Sequence, residues 1–376
     1  MSAEVAYALM WVGFAAYLGV LAAAPRLGRR VVWGAIAVAV AGFAAAPILL
    51  SHDIYSYVDY ARLGVVHGLD PYVHPPAAAP ADPAFARVTW PDTTSAYGPL
   101  FTLATYPLAW LPVGTAVAAL KVIAAASVLG LAALIARLAP ARGVDPLRAA
   151  AFVALNPLVL VHVVGGAHND GLAMLLAMTG VAAVLAAREL SGGAALVAAA
   201  AVKTSALVVA PFALLATAQQ ATGRFRRYSR RFRPVGRLLL GAGVALVAIG
   251  AAGYGAFGWD WLHAIGLAGE NQSRTSHMSI PITTARLTGL DPDAVQIAAL
   301  ALYAAFVAYL LARTWRGADW IEAAAWATLA LLLATSWLLP WYLIWTLPLI
   351  ALSRNHKLQL LVLILTAFQL GTRIPL

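Results

Sequence analysis

The chain has no cysteine. That excludes disulfides, thiolate nucleophiles and cysteine-ligated metal centres, and it leaves the redox compartment unreadable. Charge is scarce as well. Only 11% of the 376 residues are Asp, Glu, Lys or Arg, against roughly a quarter in a soluble domain. Sustained apolar–polar alternation is missing too, and with it the sequence signature of a transmembrane β-barrel. Ala, Leu and Val fill the space, so that 62% of the chain is hydrophobic and the mean hydropathy is +0.81. In hydrocarbon a segment must satisfy its own backbone groups, so long unalternating apolar runs mean helices. The sequence predicts an all-α, polytopic transmembrane helical bundle.

A spanning helix needs about 20 apolar residues. Spans are predicted near 5–24, 31–50, 115–138, 148–162, 170–188, 193–203, 204–217, 236–257, 294–313, 320–338, 341–353 and 357–373. That is about 11–13 membrane segments in a single domain over 1–376, with juxtamembrane helices between them. The first segment, Glu4 to Ala24, lacks a basic start and is followed by another span, so it reads as a helix rather than a cleaved signal. Segments 193–203 and 204–217 are too short to be two full spans and read as a re-entrant hairpin turning at Lys203. Residues 99–113 are interrupted by Pro99, Pro107 and Pro112 and read as a membrane-surface or re-entrant element.

Basic residues orient this layout, because Lys and Arg favour the cytoplasmic side. Eighteen of the 25 fall on one side, including Arg26, Arg29, Arg30, Arg142, Arg313, Arg316 and the Arg224–Arg237 cluster. Loops 51–98 and 258–293 then face outward, and the basic loop 218–237 faces the cytoplasm. A juxtamembrane arginine tract anchors to anionic headgroups, so membrane lipids are expected partners and nucleic acid is not. Of the 15 Asp and Glu residues, 11 lie on the outer side. Long wet loops would account for part of that bias; chemistry on that face would account for it as well.

Five local patterns carry chemistry. The stretch Ser51-His52-Asp53-Ile54-Tyr55-Ser56-Tyr57 follows the second span. A carboxylate at the bilayer edge is costly without a partner or a task. Asp53 is a candidate N-cap for a helix over 54–66, and the aromatic cluster beside it favours function. In Gly165-Gly166-Ala167-His168-Asn169-Asp170-Gly171, Asn169 and Asp170 can cap a following helix and still serve a site. Lys203 lies inside an apolar hairpin, where an ammonium needs an anion such as a phosphate. In the outer loop, Arg274 and His277 are suited to phosphate oxygens, the arginine through its planar fork. Trp337 to Tyr342 fits an interfacial aromatic belt, and less well a wall for sugar or prenyl chains.

Together these residues resemble the polyprenol-phosphate-sugar-dependent glycosyltransferases of the GT-C superfamily, nearest the actinobacterial α-1,6-mannosyltransferase group. The resemblance rests on Ser51 to Tyr57 and on Gly68-Leu69-Asp70-Pro71-Tyr72. Tyr97-Gly98-Pro99-Leu100, Asn156-Pro157 with His168-Asn169-Asp170, the Lys203 hairpin and Pro340-Trp341-Tyr342 extend it. Two features depart from it: the aspartate loop follows the second span rather than the first, and the chain is short. The resemblance implies a GT-C-type bundle in the plasma membrane with its active site on the extracytoplasmic face. It implies an inverting transfer of a sugar, mannose by the nearest group, from a polyprenyl-phosphate donor to a glycan or glycolipid acceptor. Asp53 would be the catalytic base. Lys203, Arg274 and His277 would bind the donor phosphate, and Tyr55, Tyr57, His168, Asn169 and Asp170 the acceptor or sugar. No cofactor is needed and no metal-ligand cluster stands out. Acceptor recognition is expected from the outer loops and cavity rim, with no soluble domain after the last span.

Two other function classes make different demands on the sequence. A transporter or lipid flippase predicts an internal repeat with matching broken helices, and the halves show no clear self-similarity. A non-catalytic membrane scaffold would not need Asp53, Lys203 and Arg274 together.

Overall fold

A computed structural model describes residues 3–48, 50–223, 233–270, 275–276 and 278–372. In chain order its helices are α1 (Ala3–Ala45), α2 (Asp53–Val65), α3 (Pro99–Thr105), α4 (Val113–Leu138), α5 (Pro146–Ala154), α6 (Asp170–Leu185), α7 (Glu189–Val202) and α8 (Ala210–Gly223). They continue with α9 (Arg233–Phe257), α10 (His263–Glu270), α11 (Ile280–Thr288), α12 (Pro292–Trp315), α13 (Trp320–Ala334), α14 (Leu347–Ala351) and α15 (His356–Thr372). No strand occurs among the described residues.

Among the described residues, four helices are long and apolar enough to cross a membrane: Tyr7–Ala45, Val113–Arg142, Arg233–Phe257 and Pro292–Trp315. Helix α5 and a π-helical turn at Val159–Gly165 make a fifth when counted as one span bent by 64°. The chain is a multi-pass helical membrane protein. The expected 11–13 segments were counted from hydropathy, and several of them are shorter elements. Thus α6, α7 and α13 are apolar helices of 10–17 residues. The span expected at 341–353 is a 3-10 turn, Pro340–Trp345, followed by the five-residue α14. Pro340 and Pro348 bring no N–H donor, so a continuous ladder cannot form there. Residues 99–113 are the short α3 and a 3-10 turn at Tyr106–Trp110. The break within α1 falls at Gly28 (φ 76°, ψ 159°), between the first two expected spans. That backbone conformation suits a residue without a Cβ.

The buried apolar residues form a continuous core from Phe14 to Leu370. Within it, α6, α7 and α9 pack through small residues, as membrane helices do when backbones must approach closely. A Cβ on Gly193 would collide with the Leu238 carbonyl, and one on Gly241 with the Leu190 carbonyl. Gly180 faces Leu196 and the Gly192 carbonyl in the same way. This contact matters because α7 ends at Val202 and delivers Lys203, an extended residue (φ −152°, ψ 122°) that precedes the 3-10 turn Thr204–Val209. A second close approach, Gly98 against the Ala201 carbonyl, seats loop 88–98 on that same end.

Gly241→Val must push α7 from α9. It is expected to cost roughly 1–3 kcal/mol, the range for an overpacked contact, and to lower the melting temperature in detergent. Gly243→Ala, where a Cβ meets nothing within 4 Å, should leave that temperature within error.

Candidate active site

Helix α2 begins at Asp53. The N-cap residue is His52, whose side chain makes no capping bond. The Asp53 carboxylate is therefore not used as the cap. Instead Trp90 Nε1 donates to Asp53 Oδ1 at 3.2 Å. Trp90 reaches this position because its loop is clamped to α2. Arg62 Nε donates to both Asp82 oxygens at 2.8 and 2.9 Å, and His67 Nε2 lies 2.7 Å from Oδ2. The Ala84 N–H adds a bond of 2.9 Å, and Arg62 Nη1 reaches the Ala109 carbonyl at 2.8 Å. Burial would raise the Asp82 carboxyl, but the Arg62 bonds and the Ala84 N–H outweigh it and hold it below the usual range. Further along, Tyr60 Oη donates to the Thr93 carbonyl at 2.7 Å.

The Asp53 environment acts the other way. Burial pushes its carboxyl above the ordinary range. The Trp90 bond and the Lys203 charge counter this only in part, and the Asp170 charge adds to the rise. His168 Nδ1 lies 3.9 Å from Asp53 Oδ2. Burial, then the Lys203 charge, holds His168 well below the usual histidine range. The imidazole is thus neutral, and this contact is not an ion pair. The ring stacks on Trp341 at 3.8 Å and 17°. It follows Ala167, a non-glycine residue at φ 52°; such left-handed backbone costs energy and is held by its surroundings.

Lys203 has an anionic partner within the protein. Its Nζ lies 2.8 Å from each Asp170 oxygen. Asp170 is wholly buried and accepts a second hydrogen bond, from Trp345 Nε1 to Oδ1 at 2.6 Å. The ammonium also sits 5.2 Å from the Tyr342 ring centroid and 5.7 Å from that of Trp345. An ammonium carries three donors. One is donated to Asp170 Oδ2, and the side chain keeps 19% exposure where it lines a cavity.

That cavity holds about 290 Å³. Asp53, Ser56 and Tyr60 line it from α2, and Trp90 and Tyr97 from the clamped loop. Lys203, Thr204 and Ser205 close another side, and Trp337, Trp341, Tyr342 and Trp345 supply an aromatic wall. Asp53 and Lys203 thus share one space. His168 and Asp170 stand behind its wall, holding Trp341 and Lys203. Asn169 is buried beside them, with neither side-chain polar atom bonded among the described residues. Tyr55 and Tyr57 do not line the cavity. Tyr57 is buried edge-on against Tyr97 and Phe101, and Tyr55 accepts a bond from Arg87. Arg274 and His277 lie outside the described residues. Among the described residues no group of three His, Cys, Asp or Glu side chains could hold a metal ion.

With this geometry in place, comparison with known proteins is informative. A family profile described as alpha-(1->6)-mannopyranosyltransferase, N-terminal domain, matches residues 1–219. The chain belongs to that family. Over 234 residues it is 33% identical to alpha-(1->6)-mannopyranosyltransferase A of Mycobacterium tuberculosis, covering 58% of this chain and 44% of the relative. Over 176 residues it is 32% identical to the protein of the same name from Corynebacterium glutamicum, covering 45% and 35%. The matched part spans less than half the length of either relative. No solved structure matches.

The family match contains Asp53, His168, Asp170 and Lys203, whereas the wall from Leu331 to Trp345 lies beyond it. Sequence reasoning missed Trp90 and Trp345, the two indoles that bond the carboxylates. Each sits among other aromatics and looks like an interfacial anchor. The one available signal was helical period: 53, 56 and 60 fall on one face of α2.

Lys203→Met should leave Asp170 buried without its cation. Breaking a buried pair costs about 3–5 kcal/mol, and partial exposure of the ammonium places this one near the lower end. The double variant Lys203→Met with Asp170→Asn should recover most of that loss in a thermal melt.

Proposed function

We propose that this protein is an inverting mannosyltransferase that takes mannose from a polyprenyl-phosphate donor, with Asp53 as general base. One observation carries the reading: a carboxylate of raised pKa and a fixed ammonium line the same aromatic-walled cavity in a chain of the alpha-(1->6)-mannopyranosyltransferase family. A base works best when its pKa lies near the operating pH, and burial moves Asp53 in that direction.

In this reading the acceptor hydroxyl gives its proton to the Asp53 carboxylate as its oxygen attacks the anomeric carbon. The bond from that carbon to the phosphate oxygen breaks, and the electron pair leaves with the lipid phosphate. One displacement inverts the configuration. A further N–H of Lys203 meets the charge growing on the phosphate, a fixed electrostatic contact of the kind that lowers such barriers. Asp170 and Trp345 keep the ammonium in place. The indole and phenol faces of Trp337, Trp341 and Tyr342 offer stacking for a sugar ring or contact for a prenyl chain. Arg274 and His277 belong to the proposal as further phosphate contacts, and Asn169 as a polar group near the acceptor.

The extracytoplasmic placement is part of the same proposal. It is supported by the ends of α13: Asp319, before its first turn, pairs with Arg142, and Thr335, just past its last, lines the cavity. Arg142 belongs to the arginine-rich side and the cavity to the other.

The test is incubation of purified protein with polyprenyl-phosphate mannose and oligomannoside acceptors, followed by linkage analysis. Asp53→Asn is expected to lower turnover about 10²–10⁴-fold, the usual worth of a general base. The sign of its stability effect differs. A carboxyl raised in the folded state binds its proton more tightly than in the unfolded state, so its contribution falls as pH rises. Asp53→Asn should therefore be no less stable than wild type at pH 7. Wild-type turnover should fall as pH drops through a pKa above the ordinary carboxylate range. Full turnover in Asp53→Asn would refute the assignment.

A further inference from the structure

A second concavity, of about 530 Å³, lies between α12 and α13 at the other end of α13. Its walls are Phe306, Leu310, Ala323 and Trp326, and its charged rim is Arg313, Asp319 and Glu322. Helix α12 is apolar, and only 6% of its most apolar stretch is buried inside the protein. The groove therefore faces the lipid, with its charges where the arginine-rich side meets the headgroups.

The rim charges are not equivalent. Asp319 is committed: it pairs with Arg142 and caps α13 by accepting the Ile321 N–H at 3.0 Å. Arg313 has no carboxylate in ion-pair reach among the described residues; its guanidinium lies 6.0 Å from the Tyr309 ring centroid. Glu322 accepts from Asn355 Nδ2 at 2.8 Å and Ser353 Oγ at 3.3 Å. Both donors are neutral, and no cation answers this carboxylate among the described residues. Among the described residues, one unanswered cation and one unanswered anion thus line a single groove without pairing to each other. Arg313 is exposed and Glu322 half-buried, so both can be reached from outside the protein, and a ligand carrying a phosphate and an ammonium complements both.

We propose that this groove binds a zwitterionic phospholipid of the phosphoethanolamine type. Arg313 takes the phosphate through its planar fork, Glu322 takes the primary ammonium, and an acyl chain lies along Phe306, Leu310 and Trp326. An anionic headgroup satisfies Arg313 but leaves Glu322 opposed to a like charge. A choline headgroup satisfies the charges but donates no N–H to Glu322. The expected order of binding is ethanolamine, then choline, then glycerol headgroups. This site lies apart from the cavity that holds Asp53, and it stands or falls independently of the proposed transfer reaction.

The test uses the full-length protein, delipidated in detergent and titrated with dioleoyl phosphatidylethanolamine, phosphatidylcholine or phosphatidylglycerol. Retention is read by native mass spectrometry. Wild type should retain the ethanolamine lipid most strongly. Glu322→Gln should weaken that lipid about tenfold, the loss of one charge-assisted contact, and leave the glycerol lipid no weaker. Arg313→Gln should weaken all three. Phe306→Trp fills the groove while keeping both charges, and it should lower retention of every lipid, which decides the matter if Glu322→Gln melts early. Equal or tighter binding of phosphatidylglycerol to wild type would overturn the proposal. So would unchanged ethanolamine-lipid retention in Arg313→Gln and Phe306→Trp.

Discussion

The site depends on one buried charge pair. Asp170 has no exposure and Lys203 has little, so each charge is costly to leave without the other. Such a pair adds little net stability over well-packed apolar groups of the same volume, yet removing one partner is severe. What the pair does is positional. It fixes an ammonium at the wall of a cavity at the junction between α7 and a 3-10 turn, where the local backbone alone would leave a lysine free to turn toward water. Trp345 completes the shell around Asp170, and the glycine contacts of α7 with α9 set how far the junction reaches.

Asp53 stands in deliberate contrast to Asp170. Both carboxylates serve one cavity, but Asp170 has a cation and an indole, whereas Asp53 has one indole, a distant cation and a neutral imidazole. Two like groups in unlike environments take different chemical roles. Asp170 is fully partnered, Asp53 only in part, and the proposed role of Asp53 as base rests on that difference. The Arg62–Asp82–His67 clamp enables this at a distance, because it holds the loop that carries Trp90 and Tyr97 over α2.

Much of this was legible because charge in apolar sequence is conspicuous. Asp53, Asp170 and Lys203 could be singled out from cost alone, although the pairing of the latter two could not: 33 residues and a helical hairpin separate them. An anion beside Lys203 is expected from cost alone; the chain supplies one in Asp170, and the phosphate contact stays part of the proposal. The aromatics were harder. Tyr55 and Tyr57 drew attention by adjacency to Asp53, but helical geometry turns them into packing while Ser56 and Tyr60 face the cavity. Trp90 and Trp345 give the same hydropathy signal as any interfacial indole. Helix breaks were less legible, because hydropathy sees apolar runs and not breaks, as within 341–353, where a 3-10 turn and the short α14 replace one helix and Pro348 brings no N–H.

The boundary of the family match at residue 219 is not a boundary in the structure. Asp53, His168, Asp170 and Lys203 lie before it, and every one of their aromatic supports except Trp90 lies after it. Trp341 stacks on His168, Trp345 bonds Asp170, and Tyr342 and Trp345 face the ammonium. Without the later helices Asp170 would lose its indole donor, and the cavity would lose the wall from Leu331 to Trp345. The groups that carry charge and the groups that exclude water from them thus come from opposite parts of the chain. A continuous core from Phe14 to Leu370 joins those parts. The matched region holds the charged groups of the cavity, and the remainder supplies most of its aromatic wall.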